Sequence, residues 1–291
     1  MDLQGVFTAL ITPFDGEGLD LPALRRLVAG QVEAGVHGLV AAGTTGESPT
    51  LSEAEFEAVV RACVEVAAGR VPVLAGTGGY DTPRTVARTR VAAGAGADAA
   101  LVVTPYYNRP QQAGLFAHFE RVAADGGLPV VLYNVPGRTG VNLLPETAVR
   151  LASVPGVVGI KEASGTTTQV RDIVAGAGAG FAVLSGDDGI FLPSLAVGAC
   201  GVVSVASNLA PRRMVALWDA WRSGRAADAA AIDRSLAPLY SALFVEASPA
   251  PAKAAAAMLG LCSDAVRLPL VAASERTREL LRIALGVAGL P

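Results

Sequence analysis

Short apolar runs, each bounded by Gly, Pro or Thr, recur along the chain and are separated by amphipathic segments. Eight of them read as strands: 5–11 (GVFTALI), 38–42 (GLVAA), 71–75 (VPVLA), 99–104 (AALVVT), 129–134 (PVVLYN), 157–161 (VVGIK), 182–185 (AVLS) and 201–205 (GVVSV). The segments between them carry helix-start signals. Ser52 and Glu55 have capping-box spacing, and Thr82-Pro83 and Leu144-Pro145-Glu146 put proline at a first helical position.

Strands alternating with helices predict a parallel sheet, because each return crossing needs a helix on the sheet face. Eight such units predict a (β/α)8 TIM barrel, an α/β fold; an open doubly wound sheet is the alternative that the same alternation allows. The eighth unit's helix, with Met214, Leu217, Trp218 and Trp221 as packing residues, ends near Gly224. Ala-rich segments at 226–244, 250–260 and 275–289 predict three more helices. The expected division is therefore a barrel over 1–224 and a C-terminal helical appendage over 225–291. Residues 189–210 carry no charge and are long enough for a membrane span. Pro193, Gly198, Gly201 and Asn208 interrupt them, which predicts a short helix and then a buried strand.

Composition narrows the function. A net charge of −3 and the absence of a basic cluster argue against nucleic acid and anionic membranes and leave small-molecule chemistry. Cys63, Cys200 and Cys262 are far apart, with no CxxC, and His37 and His118 are the only histidines. No metal set is expected, and the cysteines read as small buried residues. Asp2 stands where a signal peptide needs positive charge, so a cytoplasmic location is expected.

In a barrel of this kind the chemistry sits at the C-terminal strand ends. These ends run into Gly43-Thr44-Thr45-Gly46-Glu47-Ser48, Thr104-Pro105-Tyr106-Tyr107-Asn108, Tyr133 to Arg138, Lys161-Glu162 and Ser185-Gly186-Asp187-Asp188. Lys161 is the candidate nucleophile. Lys161 and Lys253 are the only lysines in a chain that otherwise uses arginine, and a guanidinium forms no Schiff base. The plainer reading is a lysine whose stem lies on the strand while its head reaches water. An imine also needs a proton carrier. His37 lies near a strand start and His118 in a helix, so Tyr133 is the candidate, against a plain reading as barrel filler. Thr44 and Thr45 offer hydroxyls and amides to a carboxylate, and Arg138, after the Pro136-Gly137 turn, offers a guanidinium to a second one. Gly76-Thr77-Gly78-Gly79 is too incomplete to read as a nucleotide loop, and Asp187-Asp188 reads as a turn before a cation site.

Gly43-Thr44-Thr45-Gly46-Glu47, Tyr133-Asn134-Val135-Pro136-Gly137-Arg138-Thr139-Gly140 and Gly159-Ile160-Lys161-Glu162-Ala163-Ser164-Gly165 together resemble the pyruvate-dependent class I aldolase family, over essentially the whole chain. The resemblance implies that Lys161 is the Schiff-base lysine and Tyr133 the proton-transferring hydroxyl. It implies that Thr44 links Tyr133 to Tyr107 of a neighbouring subunit and that Thr45 holds the pyruvate carboxylate. It further assigns Arg138 to the carboxylate of aspartate 4-semialdehyde, and Gly186 and Val203 to the pyruvate pocket through backbone groups. A homotetramer of tight dimers without metal or organic cofactor is implied, acting in the diaminopimelate and lysine pathway. Lysine-inhibited members bind lysine through the loops after strands 2 and 3. Ser48 and Tyr106 match that site, but Glu53, Phe56, Tyr80 and Arg84 depart from it, so lysine inhibition is expected to be weak or absent. The alternatives are an aldolase for sugar acids or 4-hydroxy-2-oxoglutarate, of which the sialic-acid and deoxy-gluconate lyases usually lack an arginine at the Arg138 place, and a non-catalytic ligand-binding barrel.

Overall fold

The computed structural model describes residues 1–16 and 18–290; Glu17 and Pro291, which fall within the expected 1–224 and 225–291 segments, lie outside the described residues. Eight parallel strands close into a barrel. They are β1 (Gly5–Ala9), β2 (Gly38–Ala41), β3 (Val73–Gly76), β4 (Ala99–Val103), β5 (Val130–Asn134), β6 (Val157–Glu162), β7 (Ala182–Ser185) and β8 (Gly201–Ser204). Each strand pairs with its neighbours in sequence, and β8 returns to β1, pairing Phe7 with Val203. This closure excludes the open sheet. The strands are apolar on both faces because one face fills the lumen and the other lies under the helices, so the pattern read from the sequence is a burial pattern.

The helix-start signals hold with one adjustment. Ser52 and Glu55 form the reciprocal capping box of the helix Glu53–Ala67. The helix Pro145–Leu151 opens on its proline. For the helix Thr82–Gly94 the cap is Asp81, whose carboxylate accepts from the Arg84 N–H at 2.8 Å, and Pro83 moves to the second position. The uncharged 189–210 stretch is a short helix, Phe191–Ala196, followed by β8. Among the described residues no helix is long and apolar enough to cross a membrane.

The loop Gly76-Thr77-Gly78-Gly79 has a packing explanation. A Cβ on Gly76 would stand 2.4 Å from the Ala42 carbonyl oxygen, and one on Gly78 would stand 2.3 Å from the Val103 nitrogen. Both glycines let the end of β3 pass between its neighbouring strands. Of the cysteines, Cys63 is fully buried, with its thiol pushed up to about 12 by burial. Cys200 and Cys262 are only partly buried, and Cys200 Sγ lies 3.2 Å from the Leu3 carbonyl oxygen.

After the barrel's last helix, Pro211–Arg222, come three more: Ala226–Ala242, Ala250–Met258 and Glu275–Val287. They do not form a separate core. Leu236, Leu239, Tyr240, Ala252 and Leu281 belong to one apolar cluster with the lumen residues Leu74, Leu101 and Val203. Trp218 is a packing residue, edge-on to His37 at 6.0 Å.

Candidate active site

The pairing of β5 with β6 sets the centre. Tyr133 is in register with Lys161, and Asn134 with Glu162. Since side chains alternate, one pair faces the lumen and the other faces the surrounding helices. Tyr133 and Lys161 are 6% and 5% exposed, and the Lys161 Nζ lies 4.4 Å from the Tyr133 ring centroid. Among the described residues neither the amine nor the tyrosyl hydroxyl has an ion-pair or hydrogen-bond partner. Both are therefore open to a ligand.

The outward pair braces this arrangement from behind. The buried Glu162 carboxylate accepts from Asn134 Nδ2 at 3.0 Å, Gln169 Nε2 at 3.0 Å and the Ser164 N–H at 2.6 Å. Asn134 Oδ1 in turn accepts from the Leu143 N–H at 2.9 Å. The strand ends are thus cross-linked one residue beyond the Tyr133–Lys161 pair. The neighbouring strand gives the lysine room. A Cβ on Gly186 would come within 3.0 Å of Lys161 Cε and 2.6 Å of Ala163 Cβ, so any side chain there would displace the lysine stem.

The turn after β2 supplies the polar wall. The N–H groups of Gly46 and Glu47 donate to the carbonyls of Gly43 and Thr44, and Thr12 Oγ1 donates to the Gly46 carbonyl at 2.7 Å. This leaves the hydroxyls of Thr44 and Thr45 without protein partners among the described residues. Arg138 rides on the short helix Pro136–Thr139, exposed at the mouth, and no carboxylate among the described residues pairs with it.

A cavity of about 330 Å³ brings together Thr44, Thr45, Tyr133, Arg138, Lys161 and Gly186. A second, of about 240 Å³, shares all of these except Gly186 and extends toward Ser48, Arg88 and Tyr106. Val203 and Tyr107 are not among the residues that line these cavities, and Tyr107 was expected at a neighbouring subunit's site. Val203 is wholly buried in the barrel core, and Val205 is the residue after β8 that faces the cavity. Tyr107 has φ +70°, is 92% exposed and does not line either cavity, and no hydrogen bond joins Thr44 to Tyr133 among the described residues. Tyr240 and Ser241, on the helix Ala226–Ala242, and Phe244 and Ser248, in the segment that follows it, also line the cavity; nothing in their local sequence marks them. Both histidines lie away from it. His118 accepts from or donates to Thr82 Oγ1 at 2.9 Å, and burial pulls it down to about 4. Asp187 and Asp188 form a turn: Asp187 accepts from the Gly189 N–H, and buried Asp188 accepts from the N–H groups of Val205 and Ala206.

A closed parallel barrel whose C-terminal mouth presents a buried lysine, unpaired among the described residues, beside a tyrosine suits a lyase of the class I aldolase type. The sequence pattern of the dihydrodipicolinate synthetase family matches residues 2–287. A 4-hydroxy-tetrahydrodipicolinate synthase of Magnetococcus marinus is 50% identical over 97% of each chain. A solved dihydrodipicolinate synthase of Thermotoga maritima superposes with a TM-score of 0.97 at 46% identity, covering 99% of both chains. Another, from Acinetobacter baumannii and solved as a complex with pyruvate, superposes with a TM-score of 0.97 at 41% identity over the full length of both. The chain belongs to the dihydrodipicolinate synthetase family.

Proposed function

We propose that the chain condenses pyruvate with L-aspartate 4-semialdehyde, the reaction of 4-hydroxy-tetrahydrodipicolinate synthase, through a Schiff base on Lys161. The carrying observation is the in-register Tyr133–Lys161 pair, with its amine 4.4 Å from the ring and no protein partner among the described residues to displace. The neutral Nζ attacks the pyruvate ketone, the carbinolamine loses water, and loss of a proton from the methyl carbon gives an enamine. That carbon bonds to the aldehyde of the second substrate, and the substrate's own amine then displaces Lys161 as the ring closes. Water loss and methyl deprotonation both need a nearby hydroxyl, the role given to Tyr133. Thr45 receives the pyruvate carboxylate, with Gly186 clearing the space beside the lysine. Thr44 passes protons from Tyr133 to Tyr107 of a second subunit, a relay that the exposed Tyr107 ring favours and that requires a homo-oligomer, here a tetramer of tight dimers. Borohydride added with pyruvate should raise the mass of the peptide containing Lys161, and aspartate semialdehyde should outrun sugar acids in a coupled assay. An unlabelled Lys161 peptide would refute the proposal and leave the ligand-binding barrel.

Arg138 separates the substrates. As an exposed guanidinium at the cavity mouth, without an acidic partner among the described residues, it suits a second carboxylate. Arg138→Ala should lower kcat/KM for the semialdehyde by roughly 10- to 100-fold, the scale of one charge-assisted hydrogen bond. Pyruvate trapping should be unchanged; a parallel loss in trapping would place Arg138 on pyruvate instead.

Inhibition by free L-lysine should be weak. Arg88 lines the second cavity, its guanidinium stacked 4.1 Å over the buried Phe56 ring and 4.0 Å from Glu53, and Arg84, one turn earlier on the same helix, is exposed. An ammonium entering here meets the guanidinium groups of Arg88 and Arg138, and no carboxylate is among the described residues that line the cavity. Activity should persist at millimolar lysine, and strong inhibition below that range would overturn this expectation.

A further inference from the structure

The turn carrying Thr44 and Thr45 is gripped from outside the barrel by charges that the proposed chemistry does not use. Glu47, two residues beyond Thr45, has φ +54°, a backbone conformation that favours glycine. Its N–H donates to the Thr44 carbonyl at 3.1 Å, so its backbone helps to set where the threonines lie. Its buried carboxylate accepts from Lys253 Nζ at 2.5 Å and from the Arg267 N–H at 3.0 Å. Lys253, on the helix Ala250–Met258, is completely buried and also donates to the Ala265 carbonyl at 2.6 Å. Lys253 and Arg267 both cover the Phe14 ring, at 3.9 and 4.3 Å, and Arg267 reaches on to Glu55 at 2.5 Å. Burial disfavours the Lys253 charge and Glu47 supports it. A glycine would suit the backbone at 47, and an apolar pair would avoid desolvating two charges. The chain has instead placed one of its two lysines here.

We infer that the Glu47–Lys253 pair is a positioning device that fixes the Gly43–Glu47 turn against the C-terminal helices and so holds Thr44 and Thr45 at the depth where the pyruvate carboxylate is received. The C-terminal helices are then part of the catalytic unit. The inference rests on the roles proposed above for Lys161 and Thr45. Wild type, Glu47→Gln, Lys253→Met and the double variant are compared by thermal midpoint, by steady-state kinetics and by the pyruvate dependence of borohydride trapping at Lys161. The double variant leaves no buried charge alone. It is expected to unfold cooperatively yet to need about tenfold more pyruvate for half-maximal trapping, with KM for pyruvate raised to match. A pair that only stabilises the fold predicts lower midpoints in the single variants and unchanged pyruvate dependence in every folded variant; that result overturns the inference. Should the double variant not fold, Glu47→Gln, which keeps the side-chain volume, carries the same comparison. A wild-type enzyme that traps no pyruvate would instead remove the Lys161 reading itself.

Discussion

Replacing Lys161 by Met should lower turnover by on the order of 10⁴-fold or more, the scale on which loss of a covalent nucleophile acts, and should abolish the borohydride mass increase altogether. The same change should leave the protein as stable as wild type or more so. Lys161 is 5% exposed and pairs with no carboxylate among the described residues, so removing its amine strands no opposite charge and leaves an unbranched apolar side chain over the Tyr133 ring. Lys253→Met is the informative contrast. It strands the buried Glu47 carboxylate and should cost about 3–5 kcal/mol, visible as a lowered denaturation midpoint. The two lysines thus differ in the sign of their stability effect as well as in their effect on rate. A Lys161→Met protein that turned over pyruvate within tenfold of wild type would end the Schiff-base reading.

That contrast also marks how far the sequence could be read. Lysine scarcity pointed to Lys161 through its place at a strand end, yet the same scarcity applies to Lys253, which stood in an Ala-rich helix with no visible partner. Its partner is Glu47, 206 residues away, and no local pattern encodes a pair that forms only when the C-terminal helices fold back over the barrel. Tyr240, Ser241, Phe244 and Ser248 escaped for the same reason. The strands were legible because burial on both faces writes an apolar run directly. Their ends were less so. Leu10 and Ile11 are buried and apolar but lie beyond β1, where the Ile11 N–H donates to Asn208 Oδ1 instead of a neighbouring strand. The β3 run began at Val71, whereas the ladder starts at Val73, past Pro72, which has no N–H to donate. Glu162 and Asn134 stood within recognised motifs, but their work lies outside the lumen, in a polar network that looks in sequence like solvated loop residues.

Tyr133→Phe should reduce kcat by about 10² to 10⁴, the usual contribution of a positioned acid–base group, while KM for pyruvate changes little. The phenyl ring keeps the packing against Lys161 Nζ, 4.4 Å from its centroid, and the register with β6 is set by backbone bonds and by the Glu162 network behind it. Only the hydroxyl is lost, and among the described residues that hydroxyl has no protein partner whose own bond would be broken. Two steps should therefore slow together, the loss of water from the carbinolamine and the removal of the methyl proton, because each needs a proton moved within a few ångströms of Nζ. Borohydride should still label Lys161, but over a longer time, since the amine remains competent to add to the ketone without assistance. Exchange of the pyruvate methyl protons with deuterated solvent, followed by NMR, isolates the second step and should fall by a factor similar to kcat. If Tyr133→Phe exchanged those protons at the wild-type rate, the proton carrier would have to be another group, and Tyr133 would be left as the aromatic wall on which the lysine rests.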